Sequence, residues 1–248
     1  MRTTRQHYID SNFQAAREAG CDTLQLKYDG WWARFEIENG QATCFTRTGR
    51  ELSQFAFKAQ QGVNATIIGE LMFGTSWAQD PKITNKTFAF DLWSAEGVDF
   101  TERPYKERYA MMRAILKRLP PSFILVDNFP IFDFPSIWNR FVENGDYEGV
   151  VFRFSRGIVD TPLYRQKNVV VGVETACEFE EGQGKFENTL GTVVCQSGAR
   201  VGGGWDNEER ADIWNNKEKY RGRQFEVEGK KRFVETGLLR HPNFVRWL

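Results

Sequence analysis

The sequence predicts an α+β fold built as two domains, a larger mixed one over residues 1–167 and a smaller all-β one over 168–248. Short runs of alternating apolar and polar residues, rich in β-branched and aromatic side chains, recur through the first part at the period of half-buried strands. One long helical pattern, bounded by prolines, interrupts them. Beyond Lys167 helical patterns nearly vanish, and short strands follow one another between glycine turns.

SNFQAAREAG (11–20) reads as a short helix closed by Gly20. TLQLKYD, WWARFEIE and QATCFTR read as three strands, and Asn39-Gly40 between the last two marks a hairpin, because both residues tolerate positive φ. ATIIGELMF and KTFAFDLW read as further strands. In RPYKERYAMMRAILKRLPP, the residues Tyr105, Tyr109, Met112, Leu116 and Leu119 fall on one helical face. Pro104 suits the first turn of that helix, and Pro120-Pro121 stop it. FILVD is a short strand, FPSIWNRFVEN a second helix and YEGVVFRF a strand buried on both faces. In the second domain NTLGTVVC, GARVGGG, RQFEVEG, KRFVETG and NFVRWL are expected as five short strands of a small closed barrel, with NEERADIW as an inserted helix.

Composition narrows the function classes. Hydrophobic residues at 41% and charged residues at 27% exclude global disorder and low complexity. No apolar run approaches the roughly 20 residues of a membrane span, and the N-terminus carries no signal-peptide core. A soluble, cytoplasmic protein without membrane partners is expected. Basic and acidic residues balance at 33 each, so nucleic-acid contact must come from local patches such as KEKYRGR and KKR. Cys21, Cys44, Cys177 and Cys195 form no CxxC pair and only two histidines accompany them, which argues against a zinc cage and a disulfide framework. Aromatic content is high, at 15%, and some of these rings are candidates to stack on bases.

Lys27-Tyr28-Asp29-Gly30 is the first candidate for chemistry. A lysine at a strand end, before a glycine turn, can present an amine able to attack an α-phosphate and hold a nucleotide as a phosphoramidate. Alone the string is a weak signal, since most such strings are surface turns. Charged or aromatic residues then recur on or beside apolar strands: Arg47 in FTRTG, Glu70 in IIGEL, Phe90 and Asp91 in FAFDLW, Glu148 in YEGVV, Arg165 and Lys167 in RQK. Glu70 and Glu148 sit in buried-looking sequence, where a carboxylate needs a cation, a metal or a hydroxyl as partner. Singly, each reads first as a salt-bridged core carboxylate.

Together, KYDG, TRTG, GEL, FDLW, EGVV and RQK resemble, in that order, the nucleotide-binding motifs of the covalent nucleotidyltransferase superfamily, which holds DNA ligases, RNA ligases and mRNA capping enzymes. The tail is similar too. GQGKFE (182–187) follows RQK at the spacing of the turn that opens the OB-fold of ATP-dependent DNA ligases, and GGGWDNEER and RHPNFVRWL resemble later segments of that family. The resemblance covers nearly the whole chain and is closest to small ATP-dependent DNA ligases of phage or bacterial type. It implies a nucleotidyltransferase (adenylation) domain over 1–167, with antiparallel sheets and flanking helices, followed by a C-terminal OB-fold β-barrel over 168–248.

The resemblance further implies that Lys27 attacks the α-phosphate of ATP, releasing pyrophosphate and leaving lysyl-AMP. Glu148, with Glu70, would hold Mg2+ or Mn2+, as suits hard cations and carboxylates. Glu70 would also accept hydrogen bonds from the ribose hydroxyls, and Phe90 would stack on adenine. Arg165 and Lys167 would neutralise phosphate charge as the bond changes. Arg47 would bind near the ribose and the 5′-phosphate of a nick. Gln25 shares a strand face with Lys27, where its amide can read the adenine edge. AMP would then pass to the 5′-phosphate of nicked duplex DNA, and the 3′-hydroxyl would displace it. Lys185, Arg221 and Arg223 are expected to contact DNA from the second domain. A monomer in a bacterium or a phage-infected cell is expected. With strands beginning at Thr23 no N-terminal DNA-binding domain is expected, so nick binding should be salt-sensitive.

The sequence departs from the family pattern at three places. Trp32 stands where the family has the arginine of KxDGxR, and Arg34, one strand period further, is the candidate substitute for both nucleotide and DNA contact. Arg165 replaces the first lysine of the later pair and brings a planar fork instead of a point charge. The final motif is imperfect, with Arg240 and Arg246 as candidates for orienting pyrophosphate. The alternatives are an RNA ligase, a capping guanylyltransferase and a non-catalytic OB-fold nucleic-acid-binding protein. Asp29 and GQGKFE favour DNA over RNA, and the RxDK segment of capping enzymes is missing.

Overall fold

The structure, a computed structural model, describes residues 7–73, 84–143, 147–233 and 236–248. The chain divides into two compact units, Met1–Lys167 and Asn168–Leu248.

The first unit opens with β1 (Tyr8–Asp10) and α1 (Phe13–Glu18), whose N-terminus is capped by the Asn12 side chain accepting from the Ala15 N–H. Next come β2 (Thr23–Lys27), β3 (Trp31–Glu38), β4 (Gln41–Thr46) and β5 (Phe57–Lys58). The turn between β3 and β4 rests on Asn39 and Gly40, both at positive φ (45° and 79°), which suits the twist of paired strands. β6 (Ala65–Leu71), β7 (Thr87–Ala95), β8 (Val98–Asp99), α2 (Tyr105–Leu116) and β9 (Phe123–Leu125) follow. The unit ends with β10 (Phe129–Pro130), α3 (Phe134–Ile137), β11 (Gly149–Arg153) and β12 (Leu163–Lys167).

These strands build two sheets. One runs β5-β4-β3-β6-β7-β8, with β9 added parallel to β7, and the other runs β1-β12-β11-β2-β10. The first sheet packs Phe35, Ile67 and Leu92 with Met112 and Ile115 of α2. The second packs Leu24, Leu26, Val150 and Phe152 with Ile131 and Ile137. All five residues of β11 are buried, in keeping with its place in mid-sheet.

In this unit two expectations need correcting. The innermost face of α2 carries Tyr105, Arg108, Met112 and Ile115, while Tyr109 and Leu116 are only half-buried. The helix is rotated because the Arg108 guanidinium turns inward onto Asp91, an attraction that a hydrophobic pattern does not register. FPSIWNRFVEN is not one α-helix either. A single α-turn, α3, passes into a π-helical stretch at Trp138–Glu143, and Phe134, Trp138 and Phe141 all turn to the same core.

The second unit holds β13 (Val170–Glu181), β14 (Leu190–Cys195), β15 (Arg200–Val201), α4 (Asn207–Asn215), α5 (Lys217–Tyr220), β16 (Gln224–Arg232) and β17 (Leu239–Trp247). Its sheet runs β15-β14-β13-β16-β17, and a bridge between Gly203 and Asn243 links the two ends of that order. Leu190, Val193, Trp205, Phe225 and Phe244 form its core. Asp206 starts α4 with a capping box to Glu209. The central strand, β13, has no counterpart among the expected strands. VVGVETACEFEE carries glycine, alanine and four glutamates, all poor strand formers, and it is held by pairing on both edges. The expected KRFVETG strand is instead the end of β16, with Val234 and Glu235 outside the described residues. Among the described residues no helix is long and apolar enough to cross a membrane.

Candidate active site

The sheet containing β1, β12, β11 and β2 sets the site by its register. Gln25, Val151, Arg165 and Asp10 stand in one cross-strand row, and Lys27, Gly149 and Lys167 stand in the next row of the same face. Three motifs far apart in sequence thus meet edge to edge. Gly149 makes this approach possible, since a Cβ there would lie 2.1 Å from the Gln166 carbonyl oxygen. Glu148, beside Gly149, donates its N–H to the Lys27 carbonyl at 3.0 Å, and its carboxylate receives the Lys27 ammonium. The Glu148 side chain is 5% exposed and that of Lys27 18%, so the pair sits at the edge of solvent.

The other sheet brings up the opposite wall. Trp32 and Glu70 are cross-strand neighbours on β3 and β6. The Glu70 carboxylate accepts the Gly30 N–H at 3.0 Å, and burial pushes its pKa up to about 7 despite the nearby Lys27 charge. Gly30 cannot be anything larger, because a Cβ would fall 2.3 Å from the Leu71 carbonyl oxygen. On β7, Ile68 pairs with Asp91 and Gly69 with Ala89, which leaves Phe90 as the extra residue of a bulge. Such a kink re-aims side chains, and here Phe90 reaches the cavity.

The cavity between these walls has a volume of about 240 Å3. Gln25, Lys27, Arg47, Glu70, Phe90 and Arg165 all line it, together with Trp32. Lys167 stands just outside that lining, 3.9 Å from the Asp10 carboxylate that also pairs with Arg165. Arg34 is not brought in. It lines a separate depression, donates to Glu36 at 3.0 Å and lies over the Phe45 ring. Of the residues expected to meet DNA in the second unit, Lys185 lies over Phe186, Arg221 pairs with Glu218, and Arg223 lies over Trp247. Arg240 is buried, and Arg246 pairs with Glu226 at 3.1 Å.

Two polar lining residues, Arg153 and Tyr8, lie outside the motifs read from the sequence. Arg153 has a readable signal, being the next residue on the Val151 face of β11. It is 2% exposed, contacts Asp91 at 3.4 Å, lies over the Tyr105 ring at 4.4 Å and leaves its Nε–H without a partner. Gln25 donates through Nε2 to the Tyr105 hydroxyl at 2.8 Å, which leaves its Oε1 free to accept. Tyr8 has no local signal, since parallel pairing of β1 with β12 brings it in. Its ring carries two guanidiniums, Arg165 at 5.3 Å and Arg47 at 5.7 Å, and Arg47 also lies 5.4 Å from Trp32.

No family model matches the sequence. A curated protein of Haemophilus influenzae, described as a DNA ligase, is 26% identical over 200 residues covering 73% of this chain and 70% of that one. Among solved structures, one from a structure–function study of Lig E DNA ligases superposes with a TM-score of 0.66 at 16% identity, over 98% of this chain and 99% of that one. The ligase domain of LigD from M. tuberculosis superposes with a TM-score of 0.52 at 15% identity, over 98% and 93%. Over nearly its whole length the chain thus shares the fold of these DNA ligase structures, and over most of its length it is similar in sequence to a DNA ligase.

Proposed function

We propose that the chain is an ATP-dependent DNA ligase, with residues 1–167 as its nucleotidyltransferase domain and 168–248 as an OB-fold domain. The observation that carries this is the Lys27 amine, paired with Glu148, in the wall of a cavity that also presents Phe90, Glu70 and Arg165.

In the first step the Lys27 lone pair forms a P–N bond to the α-phosphorus of ATP. The bridging P–O bond to the β-phosphate breaks, and pyrophosphate leaves with that electron pair. The ammonium must first give up a proton, and Glu148 already accepts from it. Arg165 and Lys167 would face the phosphate charge from β12, across β11 from Lys27. The 5′-phosphate of a nick then takes AMP from Lys27, and the 3′-hydroxyl attacks that 5′-phosphorus, sealing the strand and releasing AMP. Lys185, Arg221 and Arg223 would meet the duplex backbone.

The acidic side chains suit a divalent cation shared with the nucleotide. A divalent cation held by one carboxylate and by substrate phosphates needs no cluster of protein ligands, and among the described residues no three acidic, histidine or cysteine side chains converge. Glu148 is that carboxylate, and Mg2+ bound there would neutralise phosphate charge. Glu70, half protonated near neutrality and bound to the Gly30 N–H, suits a ribose hydroxyl better than a cation.

Base choice follows from two atoms. Gln25 Oε1 offers an acceptor and Arg153 Nε a donor on the same cavity. Adenine answers with its amino group and a ring nitrogen, whereas guanine offers a carbonyl at the position of that amino group. The test is incubation with ATP or GTP labelled at the α-phosphate. Covalent label is expected from ATP on the wild-type chain and none on Lys27→Ala or Lys27→Arg, since a guanidinium stays protonated. Label from GTP would point to a capping enzyme, and label from neither would refute the reading. Sealing of DNA–DNA, RNA–DNA and RNA–RNA nicks then defines the substrate.

A further inference from the structure

β1 contributes two side chains to the site, and it is anchored on both sides of them. The Leu163 N–H donates to the His7 carbonyl and the Ser11 N–H to the Arg165 carbonyl, each at 2.9 Å. Tyr8 and Asp10 project to one face of this strand. Asp10 accepts from Arg165 Nε at 2.6 Å and Nη2 at 3.0 Å, a bidentate fork, and lies 3.9 Å from Lys167 Nζ. Tyr8 lies under the guanidiniums of Arg165 and Arg47.

Arg165 is therefore held from two directions, through the two N–H groups on one edge of its guanidinium and through its face. A long cationic side chain otherwise samples many rotamers, and each productive contact must overcome that entropy. The Asp10 side chain is 67% exposed, and such exposed pairs contribute little to stability. What the fork does supply is direction, because the Arg165 guanidinium cannot turn without breaking it. The Arg165 hydrogen bonds also hold the Asp10 carboxyl below the usual carboxylate range, so the fork stays charged at neutral pH.

Resting on the ligase reading above, we propose that Asp10 is a positioning residue for nucleotide transfer: it fixes Arg165, and with it Lys167, in the orientation that meets the phosphate attacked by Lys27. It acts through these cations and touches no substrate itself. Asp10→Asn loses the ionic fork but keeps the volume, and it leaves the wall more positive. ATP should still be drawn to the cavity while the reacting geometry loosens.

The experiment is single-turnover adenylation of the full chain, read as a rate constant and separately as an amplitude, over a series of ATP concentrations. For Asp10→Asn the limiting rate constant should fall about tenfold, with the ATP concentration for half-maximal rate changed less than about twofold. Asp10→Glu should recover most of the rate, and the melting temperatures should agree among all three proteins. A rate constant for Asp10→Asn within about twofold of wild type overturns the proposal. So does a loss of amplitude or melting temperature at an unchanged rate constant, which is what a merely structural residue would produce. The wild-type control separates the two readings. Labelling that depends on Lys27 with an indifferent Asp10→Asn removes only the role of Asp10, whereas an unlabelled wild type removes the ligase reading and this proposal with it.

Discussion

Asp91 sits beneath the cavity and faces two guanidiniums. It accepts from Arg108 at 2.7 and 3.2 Å and lies 3.4 Å from Arg153, and the three residues are 1%, 2% and 2% exposed. Asp91→Ala removes the carboxylate that answers both charges and leaves them in a low-dielectric interior. Breaking a buried pair in this way costs about 3–5 kcal/mol. In a unit of this size each kcal/mol moves the melting temperature by about 2–4 °C, so a fall of roughly 6–20 °C is expected. Asp91→Asn keeps the shape and one acceptor and should cost less, about 1–3 kcal/mol. Because Arg153 also lines the cavity, the damage should reach the nucleotide, and ATP affinity should fall in the same order, Ala below Asn below wild type. Calorimetric melting of the three proteins, with and without ATP, reads both effects. A loss under about 1 kcal/mol for Asp91→Ala would show that Arg108 and Arg153 do not depend on this carboxylate. Normal ATP affinity in a destabilised protein would separate Arg153 from the base.

Three further outcomes follow from the site. Glu70 has its pKa raised by burial from 4.5 to about 7, so the folded state binds the extra proton between those values. Its contribution to stability is therefore full below about pH 4.5 and is lost as pH rises to about 7. Glu70→Gln should remove this slope and gain up to about 3 kcal/mol at pH 8, which denaturant titrations at pH 5 and pH 8 would read. Phe90→Ala should weaken ATP binding by about 1–3 kcal/mol; a change in melting temperature alone would make Phe90 a packing residue. Glu148→Ala should slow nick sealing by about 10²-fold or more, and Glu148→Gln nearly as much, because a neutral amide neither holds the cation nor receives the Lys27 proton. Sealing by Glu148→Gln at the wild-type rate would exclude both roles.

Several residues in and beside the cavity were legible in the sequence because a charged group lies in an apolar setting, although Arg153 in the same kind of setting was not. Glu70 and Glu148 stood out as acids inside apolar runs, and Lys27 as a strand-end lysine before a glycine that tolerates no larger residue. Strand alternation and the Asn39-Gly40 turn were equally legible, because they depend on neighbours along the chain. Other features depend on neighbours in space. The bulge that turns Phe90 inward needs the mismatch between β6 and β7, and the rotation of α2 needs the charge of Asp91 across the core. β13 is a strand because two strands flank it, in spite of its own glutamates and glycine. Tyr8 and Asp10 reach Arg165 only through parallel pairing over more than 150 residues of separation. Arg34, on the same strand face as Trp32, is claimed by Glu36 and Phe45 instead of the cavity. Local sequence thus marked candidate groups for chemistry. Tertiary pairing decided which of them share a cavity, because register and ion pairs between distant segments leave no periodic trace in either segment alone.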